Sequence, residues 1–284
     1  GCPADEIVGV SFSGQMHGLV ILDDKDEVIR PAILWNDNRI AEQCDYLNNV
    51  IGKDRLISYT GNIAYAGFTA PKLLWLKENE PESFKRIAKI MLPKDYVAYK
   101  ASGVFATDVS DASGTLYFDV KGKKWSAGML EILGVPESLL PKVFESYEAV
   151  GKVSRQFAEA TGISPDALVV IGGGDQAVGA VGTGTVRDGQ LSISLGTSGV
   201  LFAPTDSFIE EKYSRLHSFC HANGKFHIMG VMLSAAGSFD WWVRDVLGSD
   251  DFEGVINKAA SVDTDNILFL PYLMGERSPI NDPK

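Results

Sequence analysis

Ala167-Leu168-Val169-Val170-Ile171-Gly172-Gly173-Gly174-Asp175-Gln176 is the stretch on which the fold turns. An apolar run of strand length breaks into three glycines and a carboxylate, and a small-residue segment over 177–184 follows with helical character. The pattern recurs downstream, where Leu191-Ser192-Ile193-Ser194-Leu195 breaks into Gly196-Thr197-Ser198-Gly199. Strand, glycine turn, helix, strand, glycine turn reads as α/β. Glycines at such places let backbone N–H groups face an anion closely. An acid among them either repels phosphate or handles a proton or a metal, and Asp175 is that acid.

With 284 residues and roughly 100–200 residues per domain, two domains are expected. Hydrophobic residues at 45% and charged residues at 22% are globular values, so disorder is not in play. A net charge of −11 repels a nucleic-acid backbone, and no basic run offsets it. Cys2, Cys44 and Cys220 are far apart and odd in number, which fits reduced thiols in the cytoplasm. No apolar run reaches the length of a membrane span. Gly1 in place of Met, and an end in coil straight after a motif-like segment, read as an internal piece of a longer protein.

Along the chain, residues 7–12 read as a buried strand ended by Ser13-Gly14-Gln15-Met16-His17-Gly18, and residues 19–29 as a hairpin. His17 is either a core histidine or part of a binding loop. After a strand over 32–35, Asn36-Asp37-Asn38 offers N-caps to a helix over 39–50; Asp37 and Arg39 could alternatively form a polar pair beside a ligand. Further helices are expected over 68–79, 81–88, 95–100, 125–133 and 153–161, with a strand over 90–92. Residues 107–115 read as an ordered polar loop with no demand for chemistry. Strands follow over 228–233 and 267–272. His217, Cys220, His221 and His227 suggest a metal cluster, but in a strand Cys220 would point away from the two histidines, and structural histidines fit better. Without a linker, any domain boundary must be a direct chain crossing.

Two chemistries compete at the glycine turns. Gly172-x-Gly174-x-x-Ala177 satisfies the loose dinucleotide fingerprint, but Asp175 would occupy the place of the pyrophosphate, and the next strand does not end in an acid for the ribose. Phosphoryl transfer uses the same residues without conflict. Gly196-Thr197-Ser198-Gly199 supplies donors for a phosphate while Asp175 accepts a proton from an attacking alcohol. The P-loop and protein-kinase signatures are both missing.

Eight motifs in order carry a resemblance: Ser13-Gly14-Gln15-Met16-His17-Gly18, Trp35-Asn36-Asp37-x-Arg39, residues 67–79, Leu92-Pro93-Lys94-Asp95-Tyr96, residues 107–115, Gly174-Asp175-Gln176, residues 194–199, and Pro271-Tyr272-Leu273-x-Gly275-Glu276-Arg277-x-Pro279. Together they resemble the FGGY carbohydrate kinases. The resemblance implies a ribonuclease H-like/actin-like fold of two domains with a central cleft, both truncated here: 1–187 for the first and 188–284 for the beginning of the second. It implies ATP-dependent phosphorylation of a ketose, with the Gln-Met-His-Gly loop pointing to D-xylulose, and with ATP and Mg²⁺ taking part. It makes Asp175 the catalytic base, places Met16, His17, Asp175 and Gln176 on the sugar, and places Gly196 and Thr197 on the ATP phosphates. No metal ligand is assigned in this chain, because the family's Asp that works with Mg²⁺ would precede Gly1. Gln176 stands where many members carry Asn, and Gln still donates to a sugar hydroxyl. The adenosine-binding segment would follow Lys284, so this piece alone is expected to be inactive or nearly so. Sugar and ATP are the expected partners, with neither nucleic acid nor membrane, and a homodimer is compatible. The rival class is a non-catalytic sugar-binding protein of the same fold. Met16, Trp35, Phe68 and Trp75 could wall the site against water, although core packing is the simpler account of all but Met16.

Overall fold

The computed structural model describes residues 3–37, 39–213, 215–263, 267–273 and 275–281. The two termini and Asn38, one of the expected helix caps, lie outside these residues. The architecture is α/β, as the glycine-turn pattern requires.

In chain order, β1 (Gly9–Val10), β2 (Ser13–Gly14) and β3 (Val20–Leu22) lead to α1 (Ala41–Asp45), which runs through a wider turn over Tyr46–Gly52 into α2 (Lys53–Thr60). Next come α3 (Thr69–Asn79), α4 (Pro81–Lys85), β4 (Lys89–Met91), α5 (Pro93–Ser102), β5 (Ala106–Asp108) and α6 (Val109–Ala112). They are followed by β6 (Phe118–Asp119), β7 (Lys124–Trp125), α7 (Ala127–Leu133), β8 (Lys142–Phe144), β9 (Ala149–Lys152) and α8 (Arg155–Thr161). The quoted stretch supplies β10 (Leu168–Val170), β11 (Gly173–Gly174) and α9 (Asp175–Gly182). The chain continues through β12 (Ser192–Leu195), β13 (Gly199–Thr205), β14 (His217–Cys220), β15 (Phe226–Met232), α10 (Ala236–Trp241) and α11 (Phe252–Ala259).

The site is positioned by one pair of chain segments that run parallel twice. β1 pairs with β10, whose other edge takes β9 antiparallel. Two residues further along, β2 pairs with β11 in the same parallel sense. Gly172 makes the step between them with φ of 73°, and a Cβ there would lie 1.8 Å from the Phe12 carbonyl oxygen. Only glycine fits so close a backbone crossing. The second sheet is antiparallel, in the order β12-β13-β15-β14. Its β14 is tied to the first half of the chain, since the Asn62 amide exchanges hydrogen bonds with Ser218 at 2.9 and 3.0 Å. The largest apolar cluster is continuous across this junction, joining Phe68, Leu73, Leu116 and Phe118 to Phe202, Phe219 and Met229.

Local signals explain most helix ends. Ser154 caps α8 by accepting from the Phe157 N–H, and α2, α5, α7 and α8 all stop at a left-handed glycine. Several expectations need correction. Residues 7–12 are largely exposed, with Val8 at 83%, because among the described residues β1 has β10 alone beside it. The first helix begins only at Ala41 and has no side-chain cap. Asp37 instead pairs with Arg39, whose Nε donates to it at 2.8 Å and whose guanidinium lies over Trp75 at 4.7 Å. Residues 107–115 are a buried strand and helical turns: Val109 and Ala112 join the apolar core while Asp108 and Asp111 pair with Lys94. Residues 267–272 form no strand and Leu268 is 92% exposed; among the described residues no strand lies alongside to pair with them.

Candidate active site

Gly14 and Gly174 are partners in the parallel β2–β11 pair. The chain leaving β2 becomes the Gln15-Met16-His17-Gly18 loop, and the chain leaving β11 becomes α9, with Asp175 as its first residue. Four expected site residues, Met16, His17, Asp175 and Gln176, are therefore delivered side by side from neighbouring strand ends. Met16 is buried and lies against Gly174, where a Cβ would come within 2.9 Å of Met16 Cγ. The small residue before the acid is what admits the methionine.

His17 adopts a left-handed backbone, φ 72°, which is uncommon outside glycine and needs support from its surroundings. Its Nδ1 faces the Gly114 carbonyl oxygen at 2.8 Å. A carbonyl only accepts, so Nδ1 carries the proton and Nε2 is left as an acceptor. The ring stacks on Phe68 with centroids 4.6 Å apart. Burial, with Arg277 adding to it, pushes the imidazole pKa down to about 3. The ring is neutral at physiological pH and can accept from a hydroxyl.

Asp175 is exposed at the mouth of this cluster. The surrounding protein still displaces enough water to raise its pKa above the ordinary carboxylate value, opposed by the Gln176 N–H, which donates to Oδ1 at 2.8 Å. An exposed carboxylate with a raised pKa is a better proton acceptor than an ordinary one. Behind it, the Gly174 N–H donates to Ser110 Oγ at 3.1 Å, and Ser110 Oγ donates to Asp108 at 2.5 Å. Ser146 donates to the same Asp108 oxygen at 2.6 Å. Lys94 anchors the group, with Nζ 2.7 Å from Asp95, 3.1 Å from Asp108 and 4.0 Å from Asp111. All four charged side chains are fully buried. One cation cannot balance three carboxylates in a low dielectric. Burial raises the Asp111 pKa well above normal and pushes that of Asp95 up as well, with Lys94 opposing both.

Lys72 approaches the site from α3. Its Nζ donates to the His17 carbonyl at 2.7 Å and to the Gly67 carbonyl at 2.6 Å, and Thr69 Oγ1 donates to the same His17 oxygen at 3.1 Å. Arg277 donates to the Ala66 carbonyl at 2.8 Å, so the segment before α3 is gripped by two cations. Phe68 lies under the His17 ring, and Met16 and Phe68 are buried. Trp35 is exposed, and Trp75 faces Arg39 and Arg30.

Gly196 and Thr197 lie elsewhere, in the exposed hairpin turn between β12 and β13. The turn is braced against the start of α10, since the Ala236 N–H donates to Gly196 O at 2.9 Å and the Ala235 N–H to Thr197 O at 2.8 Å. Among the described residues no group of three His, Cys, Asp or Glu side chains is arranged to hold a metal ion. His217, His221 and His227 are buried in an aromatic stack, with His217 parallel to Phe219 and His227 to Phe202. A surface depression of about 410 Å³ near Lys123, Trp125 and Leu140 is lined by none of the candidate site residues.

The sequence reading assigned no role to Lys72, Lys94, Asp108, Ser110 or Asp111. A signal was present for the first: Lys72 is the one charge in Phe68-Thr69-Ala70-Pro71-Lys72-Leu73-Leu74-Trp75-Leu76. A lone charge amid an apolar helical run is either solvated or held by a specific partner.

Known proteins resemble this chain along nearly its whole length. The model of the FGGY family of carbohydrate kinases, N-terminal domain, matches residues 1–182. A xylulose kinase of Klebsiella pneumoniae is 44% identical over 281 residues, covering 98% of this chain and 57% of that protein. A xylulose kinase of Bacillus subtilis is 40% identical over 282 residues, with 98% and 56% covered. The crystal structure of a kinase from Brucella ovis, described as a xyloylose kinase, superposes with a TM-score of 0.90 at 39% identity, covering 99% of this chain and 57% of that one. The chain thus spans little more than half the length of these relatives, and its fold is the ribonuclease H-like/actin-like α/β fold they share. With the family model covering most of the chain, the protein belongs to the FGGY family of carbohydrate kinases.

Proposed function

We propose that the full-length protein transfers the γ-phosphoryl group of ATP to a ketose, D-xylulose, giving D-xylulose 5-phosphate. Asp175 accepts the proton of the attacking hydroxyl. Met16 packs against the sugar, the neutral His17 accepts from one of its hydroxyls, and Gln176 donates to another. Gly196 and Thr197 take the ATP phosphates, with Mg²⁺ neutralising charge on the nucleotide. The chain divides at about residue 187 into a sugar-binding domain and the beginning of a nucleotide-binding one. Cys44 and Cys220 are buried free thiols, each pushed up to about 12 by burial, which accords with a reducing compartment and so with the cytoplasm.

The observation that carries this reading is the Gly14–Gly174 pairing, which sets the Met16–His17 loop beside the only acid at the head of α9. Likeness to the xylulose kinases supports D-xylulose as the sugar. The test is a coupled assay of the full-length protein with ATP and a panel of ketoses and polyols. The expected result is highest kcat/KM on D-xylulose. Sugar binding without phosphoryl transfer would favour the non-catalytic reading, and preference for another sugar would move the assignment of substrate.

A further inference from the structure

Lys72 is 0% exposed, and its ammonium meets two backbone carbonyls, His17 and Gly67. Among the described residues no Asp or Glu forms an ion pair with it. A buried, unpaired ammonium is costly unless its hydrogen bonds serve the structure strongly. The carbonyl it holds belongs to the one residue of the Gln-Met-His-Gly loop with a left-handed backbone, and Thr69, from the same helix, donates to that same oxygen. Turning His17 out of this conformation would swing its carbonyl away from both donors. The imidazole would then leave Gly114 and the face of Phe68.

We propose that Lys72 is a positioning residue for the sugar site: its ammonium clamps the His17 carbonyl so that the imidazole presents its Nε2 to a substrate hydroxyl. This rests on the reading of His17 as a sugar contact. The groups that face Lys72 are Asp37 from the loop before α1, Cys44 on α1, His17 itself and Arg277. Burial pushes the lysine down to about 7, helped by Arg277 and resisted by Asp37. Below that pH the clamp is charged and its hydrogen bonds are strong. Above it the neutral amine donates more weakly. Sugar affinity should therefore fall as pH rises through about 7, on the alkaline side of any effect from Asp175. No histidine accounts for such an inflection, because all four are held below their usual value.

The experiment measures KM and kcat for D-xylulose between pH 6 and 9 in the full-length protein, its Lys72→Met variant and its Thr69→Val variant. Amide hydrogen exchange over residues 15–18 is followed in parallel. In Lys72→Met, KM should rise on the order of tenfold with kcat little changed, the loop amides should exchange faster, and the rise of KM above pH 7 should vanish. Thr69→Val, which removes the companion donor at little cost in volume, should raise KM in the same sense by less. It decides the matter should Lys72→Met fail to fold. A lowered Tm with KM, pH profile and loop exchange all unmoved would overturn the proposal and leave Lys72 a purely structural residue. Wild-type protein inactive on every ketose would sink the functional reading instead, and the exchange data would still decide whether Lys72 holds the loop.

Discussion

Met16 and Gly174 are in contact across the two parallel strand ends: a Cβ added to Gly174 would lie 2.9 Å from Met16 Cγ and 3.2 Å from its sulfur. Gly174 has φ of −59°, so the requirement for glycine is spatial and not conformational. Gly174→Ala should cost about 1–3 kcal/mol of stability through overpacking and raise the sugar KM by displacing Met16. In a Met16→Ala background the same substitution should cost much less, as chemical denaturation of the four proteins of the cycle would show. Equal costs in both backgrounds would place the clash elsewhere.

Ser110 links the buried charges to β11, the strand that leads into Asp175. Its hydroxyl donates to Asp108 and accepts from the Gly174 N–H. Ser110→Ala leaves the buried Gly174 amide without its acceptor, a loss of about 1–3 kcal/mol, while the Asp108 oxygen keeps the Ser146 hydroxyl and the residue 110 N–H. Because the amide belongs to the residue before Asp175, kcat should fall more than KM rises. Steady-state kinetics beside a urea titration test this.

The buried histidines make a stability prediction with a definite sign. His217 is held neutral in the folded protein, first by burial and then by Arg277, whereas in the unfolded chain it titrates near 6.5. Below that pH the unfolded state binds the extra proton, so stability is lost as pH falls. Phe replaces the ring in its stack on Phe219 without the titration. His217→Phe should therefore gain about 1.4 kcal/mol on wild type between pH 7.5 and 5.5. A gap between the two proteins that does not change with pH would show that His217 titrates alike in the folded and unfolded states, and a wild type that gains on the variant as pH falls would show that the folded protein holds it charged.

These tests concern residues of very different legibility. Asp175 could be read from sequence because an acid among three glycines after an apolar run conflicts with phosphate binding, and that conflict needs no tertiary information. The β2–β11 pairing could not be read, since parallel partners about 160 residues apart leave no local trace. Residues 107–115 looked like a loop because buried charges mimic surface composition. Asp108 and Asp111 are inside only because Lys94, in a separate motif, is inside with them. The strand expected over 267–272 had the right residues, but propensity does not supply a neighbour to pair with. The cap expected at Asp37 misses because α1 starts only at Ala41: the Asp37 carboxylate accepts from the Arg39 backbone N–H at 3.1 Å as well as from its guanidinium, in a turn ahead of the helix.

Asp175 should also set the acid limb of the reaction. Its pKa is raised because the surrounding protein displaces water from the carboxylate, exposed though the residue is, and a base works only when deprotonated. Turnover should therefore fall as pH drops through a value above the ordinary carboxylate range of about 3.9. A plot of kcat against pH between 4 and 7 would show the descending limb; flat turnover down to pH 4 would assign the proton to another acceptor.

The most direct test is the turnover of Asp175→Ala in the full-length protein with saturating ATP and D-xylulose. A general base predicts a loss of roughly 10²–10⁴-fold in kcat, with the sugar dissociation constant, measured separately by calorimetry, changed far less. Turnover equal to wild type would remove Asp175 from the chemistry and contradict the account at its centre.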